Sequence, residues 1–436
     1  MKPEDQHKFS SQPGQMSYRK IVFRRFRSNK RALFSAWILC FFMLFYVFAD
    51  FIANDKPLIA SYHGRIIFPI IKSYLVNTGF SKWPKDLRGI NWKSLDYDFV
   101  AWPLIPYGPR EQDKVNINVS PGADQSIKSW RWRHFMGTNE IGVDMTSAII
   151  HASRIDLSIG IVAMAVASLI GLFLGSLAGY YGDEKLQMSR IRLWLNLLFL
   201  FVAWFYAFKV RAINIHDAAS GSLFSMTIQL LFSLGIFLFI MAIANVLALP
   251  FQRNSFLRKK IKLPMDIAVS RLIEIIVSIP VIFLIIMVLA VTGQGSIFWV
   301  MVVIGFTRWT GIARFVRAEL LRIRKLGFIE SARSLGYKKR RILIKHALPN
   351  AMAPVIVSIA FGIASAILIE AFLSFIGLGT PPEVPTWGRL LNEGSRNPSA
   401  WWLALFPGLA IFLTITIFNL IGEGLTEAMD PKQISE

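Results

Sequence analysis

The residues best placed to do chemistry are charged side chains that lie inside long apolar stretches. Glu370 falls within the stretch Ala353–Ile376, and Arg308 falls within Ile297–Phe315. Because an ionisable group at membrane depth is costly, such a residue is a candidate for binding, gating or a fixed polar contact. We therefore consider two roles for Glu370: it lines a translocation path or gate together with Ser374, or it has a structural partner such as a helix end or a serine. For Arg308 we expect a side chain that extends to the membrane interface.

The depths of these charges differ. Glu370 lies about 17 residues into its stretch, roughly 25 Å from the start, whereas Arg308 lies only about 10 Å from the basic end of its own stretch. This difference argues against a direct ion pair between them. Arg271 and Glu274 are three residues apart, and this spacing predicts a local ion pair on one helix face.

The sequence lacks the motifs of common hydrolytic and metal sites. It contains no Gly-rich loop ending in Gly-Lys-Ser or Gly-Lys-Thr, no His-Glu-x-x-His and no Gly-x-Ser-x-Gly. His63, Asp96, Asp98 and His134 have no spacing that makes a site, so solvated surface is the expectation for each. We expect a chain without catalytic residues, without a metal and without a bound cofactor.

Composition and charge placement favour a membrane protein over a nucleic-acid-binding protein. Hydrophobic residues make up 54% of the chain, and the formal net charge is +21. The cations lie beside the apolar stretches, with nine Lys or Arg in residues 1–31, five in Phe251–Asp266 and ten in Val316–Asn350. The positive-inside rule gives this distribution to cytoplasmic segments. We therefore expect a multi-pass protein with both termini in the cytoplasm, and anionic lipid binding as a secondary role.

Eight apolar stretches are long enough to cross a bilayer, which takes about 17 to 25 helical residues. They are Ala32–Ala49, Leu157–Tyr180, Leu193–Phe208, Leu223–Leu249, Ile267–Val291, Ile297–Phe315, Ala353–Ile376 and Trp402–Ile421. The predicted organisation is a basic cytoplasmic tail (1–31), a first transmembrane helix (32–52), an extracytoplasmic insert (53–156), a core helix (157–182), an insertion with two extra transmembrane helices (183–264), core helices (265–425) with a cytoplasmic loop (316–352), and a cytoplasmic C-terminal tail (426–436).

Two other classes of protein are alternatives at this point. An ion-driven secondary transporter would show internal inverted repeats and midplane charges. The sequence shows no such repeat, and its midplane charge is sparse. A membrane-embedded enzyme of envelope metabolism is the other alternative, because the large insert has room for chemistry.

The basic stretch Ile329–Asn350 separates two apolar stretches. A short helix from Ile329 should end at Gly336, because glycine adopts the left-handed conformation that closes a helix. A second helix should begin at Tyr337 and be limited by Pro349. The bent pair with small residues at its tip would fit a groove on a partner protein. The alternative is an amphipathic helix that lies on anionic lipid.

Several motifs resemble those of one transporter family. The residues Glu330, Ser331, Ala332, Gly336, Leu348 and Pro349 resemble the EAA signature of ABC importer permeases, with Ser331 at a position where alanine is common. The segments HFMGTNEIGVD (His134–Asp144), LSFIGLGTPPEVPTWGRLLNEG (Leu373–Gly394) and WWLALFPGLAIFLTITIFNLIGEGL (Trp401–Leu425) resemble the C-type permease of dipeptide and oligopeptide importers. The stretch FIANDKPLI (Phe51–Ile59) and the size of the insert look most like the Yej-type, microcin C-like branch.

This resemblance implies a type I ABC importer transmembrane domain of all-α fold, with six core helices, two extra inserted helices and an extracytoplasmic insert. It implies a bacterial inner-membrane permease that forms half of a peptide translocation path. The implied partners are a second, B-type permease subunit, two ABC ATPase subunits that use ATP and Mg, and an extracytoplasmic solute-binding protein. The signature loop would then be the coupling loop that docks on an ATPase subunit.

The resemblance also suggests which residues lie toward the binding protein. Gly137, Thr138, Asn139 and Asp144 belong to a motif next to the extracytoplasmic insert. The family usually has Asp where this chain has Asn139, and Arg where it has Val143. We therefore expect any ion pair that those groups form in relatives to be absent here.

Overall fold

The computed structural model describes residues 18–77, 79–183, 186–220, 223–251, 254–292, 297–381 and 384–430. Residues 1–17 of the predicted tail 1–31 and residues 431–436 of the predicted tail 426–436 lie outside these ranges. In the described part, long apolar helices form a bundle. We call the end that carries residues 53–144 the insert end, and the opposite end, where α11 leads into α15, the loop end.

The secondary structure is predominantly helical. In chain order the helices are α1 (Tyr18–Ser28), α2 (Lys30–Ile52), α3 (Pro69–Asn77), α4 (Met145–Ser176), α5 (Arg190–Trp204), α6 (Ala212–Ser220), α7 (Leu223–Phe251), α8 (Ser255–Arg258), α9 (Met265–Ser278), α10 (Val281–Thr292), α11 (Ile297–Ile323), α12 (Gly327–Ser334), α13 (Lys339–Ile342), α14 (Leu348–Asn350), α15 (Met352–Phe375), α16 (Trp387–Arg396) and α17 (Trp401–Met429). Wider π-helical turns follow at Leu177–Tyr181, Phe205–Lys209 and Leu343–Ala347, and 3-10 turns lie at Lys85–Leu87, Trp92–Ser94 and Trp130–Trp132.

Two small antiparallel sheets complete the described structure. The strands are β1 (Ile59–Tyr62), β2 (Arg65–Ile67), β3 (Phe99–Ala101), β4 (Gln187–Ser189) and β5 (Lys260–Lys262). The first sheet has the order β2-β1-β3 and lies in the insert. The second pairs β4 with β5, with Ser189 opposite Lys260, and so closes the base of the inserted helices.

Seven described helices are long and apolar enough to cross a membrane, or eight spans if one bent pair counts as a span. The predicted span Ile267–Val291 is not one continuous helix, because α9 and α10 meet at an angle of 85°. The break lies at Ile279 and Pro280. Proline offers no N–H to the helix and its ring forces the preceding residue into an extended conformation, which Ile279 adopts with φ −92° and ψ 127°.

The second spanning helix begins earlier than its hydropathy suggests. α4 starts at Met145, inside the predicted insert 53–156, with Asp144 as its N-cap. The polar residues in its first turns have partners: Arg154 Nη1 lies 2.7 Å from Asp50 Oδ2 at the end of α2. A hydropathy pattern misses this start because charged residues lower the local average hydropathy even when they are paired in the structure.

Close packing of α4 with α11 forms the centre of the bundle. A Cβ on Gly175 would lie 2.8 Å from the Ala313 carbonyl oxygen, and a Cβ on Gly305 would lie 2.6 Å from that of Ala163. Small residues at such positions let helix backbones approach, which is how helices associate in a bilayer. α4 is therefore the element against which the functional residues of other helices are placed.

The inserted helices α5 and α7 pack mainly on each other. Asn245 Nδ2 donates to Asn196 Oδ1 at 3.1 Å, and Arg211 Nε donates to Ser233 Oγ at 3.1 Å. Most of their other side chains are exposed. Their contact with the core is at one end, where Ile215 and its neighbours meet the start of α11. The two extra helices are peripheral to the bundle.

Candidate functional site

The segment α12–α14 carries the signature residues at the loop end. After α12, Gly336 turns the chain with φ +74°, the left-handed conformation expected from the sequence. α13 and a π-helical turn lead to α14, where Leu348 is half-buried and Pro349 is exposed. Pro349 lies in the first turn of α14, where its missing N–H costs no helical hydrogen bond.

α12 has one buried face and one exposed face. Ile329 and Ala332 are buried in the same apolar cluster as Leu320 of α11. Glu330 and Ser331 are exposed, and the Ser331 hydroxyl donates to the Gly327 carbonyl at 3.0 Å. The helix is thus fixed to α11 while its acidic and small residues point away from the chain.

Apolar side chains surround this exposed tip. Leu335 is 72% exposed, Ile344 is 50% exposed and Phe328 is 44% exposed. Solvated apolar residues beside a rigid turn are typical of a protein docking surface. Anionic lipid would favour the cations here but not the carboxylate of Glu330 at the tip. Docking of this segment on a partner protein stays a prediction.

The exposed tip of α12–α14 has a continuous connection to the bundle. The Ala351 N–H donates to the carbonyl oxygens of Ala347 at 3.1 Å and Leu348 at 3.0 Å, and α15 begins at the next residue. The chain therefore passes from the segment into a spanning helix without a flexible linker. A displacement of α12–α14 would be passed directly to α15.

Glu370 is fully buried on α15. The Ser374 hydroxyl donates a 2.6 Å hydrogen bond to Glu370 Oε1, which confirms the expected serine partner. The carboxyl of Glu370 also contacts that of Asp156 on α4. The two helices approach closely here, since a Cβ on Gly160 would lie 3.0 Å from Ile367. The role of Glu370 and Ser374 in a path or gate stays a prediction.

Asp156 is a functional candidate that sequence reasoning missed. Its Oδ2 accepts a 3.0 Å hydrogen bond from the backbone N–H of Trp387, the first residue of α16. Asp156 Oδ1 and Glu370 Oε2 are buried without a hydrogen-bond donor among the described residues. The available signal was a lone acid directly before an apolar stretch, but the predicted boundary at 156 assigned it to the insert.

The other membrane charges follow two patterns. The ion pair of Arg271 with Glu274 is confirmed at 2.6 Å. Arg308 has a partner on a neighbouring helix, since its Nη2 donates to Ser365 Oγ on α15 at 2.5 Å. Its extension to the membrane interface stays a prediction.

The motif His134–Asp144 lies at the insert end against α16 and α17. Thr138, Asn139 and Asp144 are buried, and Gly137 has φ +78° where a Cβ would lie 2.9 Å from Trp402 Nε1. Buried side chains cannot make direct contact with a docked protein. These residues shape the surface at the insert end, and the exposed members of the motif include Glu140 and Ile141.

Asn139 has a partner that explains its departure from the family pattern. Its Nδ2 donates to Glu393 Oε2 on α16 at 3.0 Å, and its Oδ1 accepts from the Val143 N–H at 2.8 Å. An aspartate at 139 would face the Glu393 carboxylate. Val143 itself is buried in an apolar cluster. The neutral amide of Asn139 thus joins this motif to α16.

His134 contradicts the expectation of solvated surface, because it is fully buried. Its Nδ1 lies 2.9 Å from Asp144 Oδ2 and its Nε2 lies 3.2 Å from Asp113 Oδ2. Asp113 is distant from His134 in the sequence, so the pattern of residues alone does not show that they meet.

A polar cavity of about 620 Å³ opens at the insert end between α2, α3 and α4. Several of its charged groups have partners: Arg154 pairs with Asp50, and Lys56 Nζ donates to Ser73 Oγ at 3.0 Å. These contacts attach the insert to α2 and α4.

Comparison with known proteins identifies the family. Residues 256–435 match the family described as binding-protein-dependent transport system inner membrane component. Residues 17–63 match the one described as N-terminal TM domain of oligopeptide transport permease C.

Individual relatives cover most of the chain. The inner membrane ABC transporter permease protein YejE of Escherichia coli is 25% identical over 421 residues, which cover 94% of this chain and 96% of the relative. The glutathione transport system permease protein GsiD of Pectobacterium atrosepticum is 30% identical over 336 residues, 77% of this chain and 82% of the relative. The peptidoglycan transport system permease protein YejE of Agrobacterium fabrum is 24% identical over 442 residues, 95% and 93%.

The chain therefore belongs to the family of inner-membrane permeases of binding-protein-dependent transport systems, the membrane subunits of ABC importers. The predicted family and the type I fold are confirmed. Members of this family work with ATPase subunits and a binding protein, and its relatives here are transport permeases rather than enzymes. These relatives favour an ABC importer over the alternatives of a secondary transporter and an envelope enzyme.

Proposed function

We propose that this chain is the C-type permease subunit of an ATP-driven importer of peptides or modified peptides. It forms half of the translocation path with a B-type permease subunit. Two ABC ATPase subunits and an extracytoplasmic solute-binding protein complete the complex. Relatives named for oligopeptide, dipeptide and glutathione transport support this substrate class.

The loop end is the cytoplasmic side in this proposal. Its segments α12–α14 and β5 and the basic helix α1 carry clustered Lys and Arg, as the positive-inside rule requires of cytoplasmic segments. Both termini then lie in the cytoplasm, and the insert lies outside. The insertion adds two crossings and leaves the sidedness of the later core helices unchanged.

The observation that carries the proposal is the rigid, exposed segment α12–α14. It docks on an ATPase subunit through Glu330, Ser331 and the surrounding apolar residues. ATP and Mg are bound by the ATPase subunits, and the chain itself supplies no catalytic group. Closure of the ATPases displaces α12–α14, and the continuous junction with α15 passes the movement into the bundle.

This movement is transmitted to the contact of α15 with α4 and α16. Glu370 and Ser374 lie on α15 at that contact, and Asp156 holds the first residue of α16. A shift of α15 therefore moves the α16 region, which covers the outer end of the path. The insert and the exposed part of the motif His134–Asp144 face the binding protein.

The test is peptide-stimulated ATPase activity of the complete complex in nanodiscs, with native chain or Glu330→Arg. The cation at the docking tip should lower stimulated activity about tenfold, the effect of a lost contact of about 1.4 kcal/mol. Glu423→Arg is the matched control, because Glu423 is an exposed acid on α17 at the same end. Co-purification of the ATPase subunits measures docking separately.

Normal association and stimulation with Glu330→Arg, at native levels of membrane insertion, would refute docking through α12. In that case the segment would belong to the lipid surface. Loss of both with Glu330→Arg and retention with Glu423→Arg would support the proposed coupling.

A further inference from the structure

The imidazole of His134 lies between two carboxylates at the junction of the insert and the core. Nδ1 is 2.9 Å from Asp144 Oδ2, and Nε2 is 3.2 Å from Asp113 Oδ2. A neutral imidazole has one donor and one acceptor, whereas an ionised carboxylate only accepts. Two hydrogen bonds to two carboxylates therefore require a proton on each ring nitrogen.

The other partners of both acids show that they act as acceptors. Asp144 Oδ1 accepts from the Ser147 N–H at 2.7 Å and caps α4, whose N-terminal dipole favours a negative charge. Asp113 accepts from Asn116 Nδ2 at 2.8 Å and from the Val115 N–H at 3.0 Å. Burial raises the pKa of Asp113, but these bonds and the one from His134 outweigh it and hold that pKa below its usual value.

The remaining titratable neighbours belong to the insert. Tyr107 stacks on His134 with ring centroids 4.2 Å apart. Burial, together with the nearby acids, raises the pKa of Tyr107, so its hydroxyl stays neutral and donates to the Trp132 carbonyl at 2.7 Å. Lys93 lies 3.9 Å above the Tyr107 ring and pairs with Glu111 at 2.6 Å. The ammonium group of Lys93 is therefore paired with Glu111 rather than with the two acids that face His134.

The backbone of His134 is also held. Gln125 Oε1 accepts from the His134 N–H at 2.8 Å, and Gln125 Nε2 donates to the His134 carbonyl at 3.1 Å. The side chain thus reaches both acids from a fixed position. Asp113 belongs to the insert, while Asp144 belongs to the start of α4.

We propose that His134, as an imidazolium, is a positioning residue that clasps the insert to the N-terminus of α4. The adjacent motif residues then meet the helices of the outer face: Trp402 Nε1 donates to the Thr138 carbonyl at 3.0 Å, beside the link from Asn139 to α16. This positioning role is inferred from the contacts of His134 and does not depend on the proposed transport function.

Two variants separate the two bonds. An Asn side chain places its amide nitrogen near Nδ1, and a Gln side chain places it near Nε2. His134→Asn should keep the bond to Asp144 and lose that to Asp113, and His134→Gln should do the reverse. Hydrogen exchange of the full chain in nanodiscs should then be about tenfold faster in residues 113–119 for the first variant. For the second, the increase should be in residues 144–148.

The opposite segment patterns of the two variants supply a readout that a loss of packing alone would not produce. The control is His216→Gln, at a histidine whose side chain is 66% exposed. Equal loss of protection in both segments for both variants would overturn the clasp. Neither that result nor the expected one would bear on ATPase docking at α12.

Discussion

At the residue scale, the buried acids Asp156 and Glu370 link three elements at the insert end. Asp156 accepts from the backbone of α16, and Glu370 accepts from Ser374 on its own helix. Each acid also has one buried oxygen without a donor among the described residues. A carboxyl pair in such surroundings tolerates a neutral group better than two charges, because buried like charges repel without solvent screening.

We therefore expect Glu370→Gln to unfold at the same temperature as the native chain or a few degrees higher. Its amide can still accept from Ser374 and supplies an N–H for Asp156 Oδ1. Glu370→Ala should lower the unfolding temperature, since it leaves buried polar atoms unsatisfied at about 1–3 kcal/mol. Thermal unfolding in detergent measures both, and equal losses for Gln and Ala would contradict the argument.

At the element scale, α16 is a short helix that depends on close contact with spanning helices. Thr386 caps it by accepting from the Arg389 N–H at 3.3 Å, and Asn392 Nδ2 donates to the Phe375 carbonyl at 2.5 Å. Gly388 lies on the backbone of α15. A Cβ on Gly388 would overlap the carbonyl oxygen of Ala371.

Gly388→Ala should therefore displace α16 and lower both the unfolding temperature and peptide transport. The expected loss of stability is about 1–3 kcal/mol, the usual cost of overpacking. Gly408→Ala on α17 is the control, because the nearest atom to its Cβ would be Leu391 Cδ1 at 3.9 Å. Transport into proteoliposomes with the full complex is the measurement. If Gly388→Ala transports peptide at the native rate, transport does not depend on the close contact of α16 with α15.

At the scale of the whole molecule, the extra helices α5 and α7 are separable from the core. They enter and leave through β4 and β5, where Ser189 pairs with Lys260. Their removal exposes Phe298 and Trp299 of α11 to lipid, which suits apolar side chains.

Replacing residues 190–259 by Asn-Gly should give a chain that inserts and assembles with its partners. Two residues close a hairpin between directly paired positions, and Asn-Gly favours the required turn. Protease protection of the termini measures orientation, and co-purification measures assembly. A chain that fails to insert would show that α5 and α7 stabilise the core.

The sequence alone determined the class of this protein, its spanning stretches and its signature loop. Hydropathy, cation placement and local turn residues such as Gly336 act over short distances, and so they can be read along the chain. The bend at Pro280 was also local, but the apolar stretch around it hid the break.

Only the tertiary structure decided which polar residues meet. Asp156 accepts from the backbone of α16, His134 joins Asp113 to Asp144, and Arg308 donates to Ser365. These contacts join residues on separate elements, so helix packing sets them rather than spacing. A buried charge takes the nearest available partner in three dimensions, and periodicity in one dimension does not determine that partner.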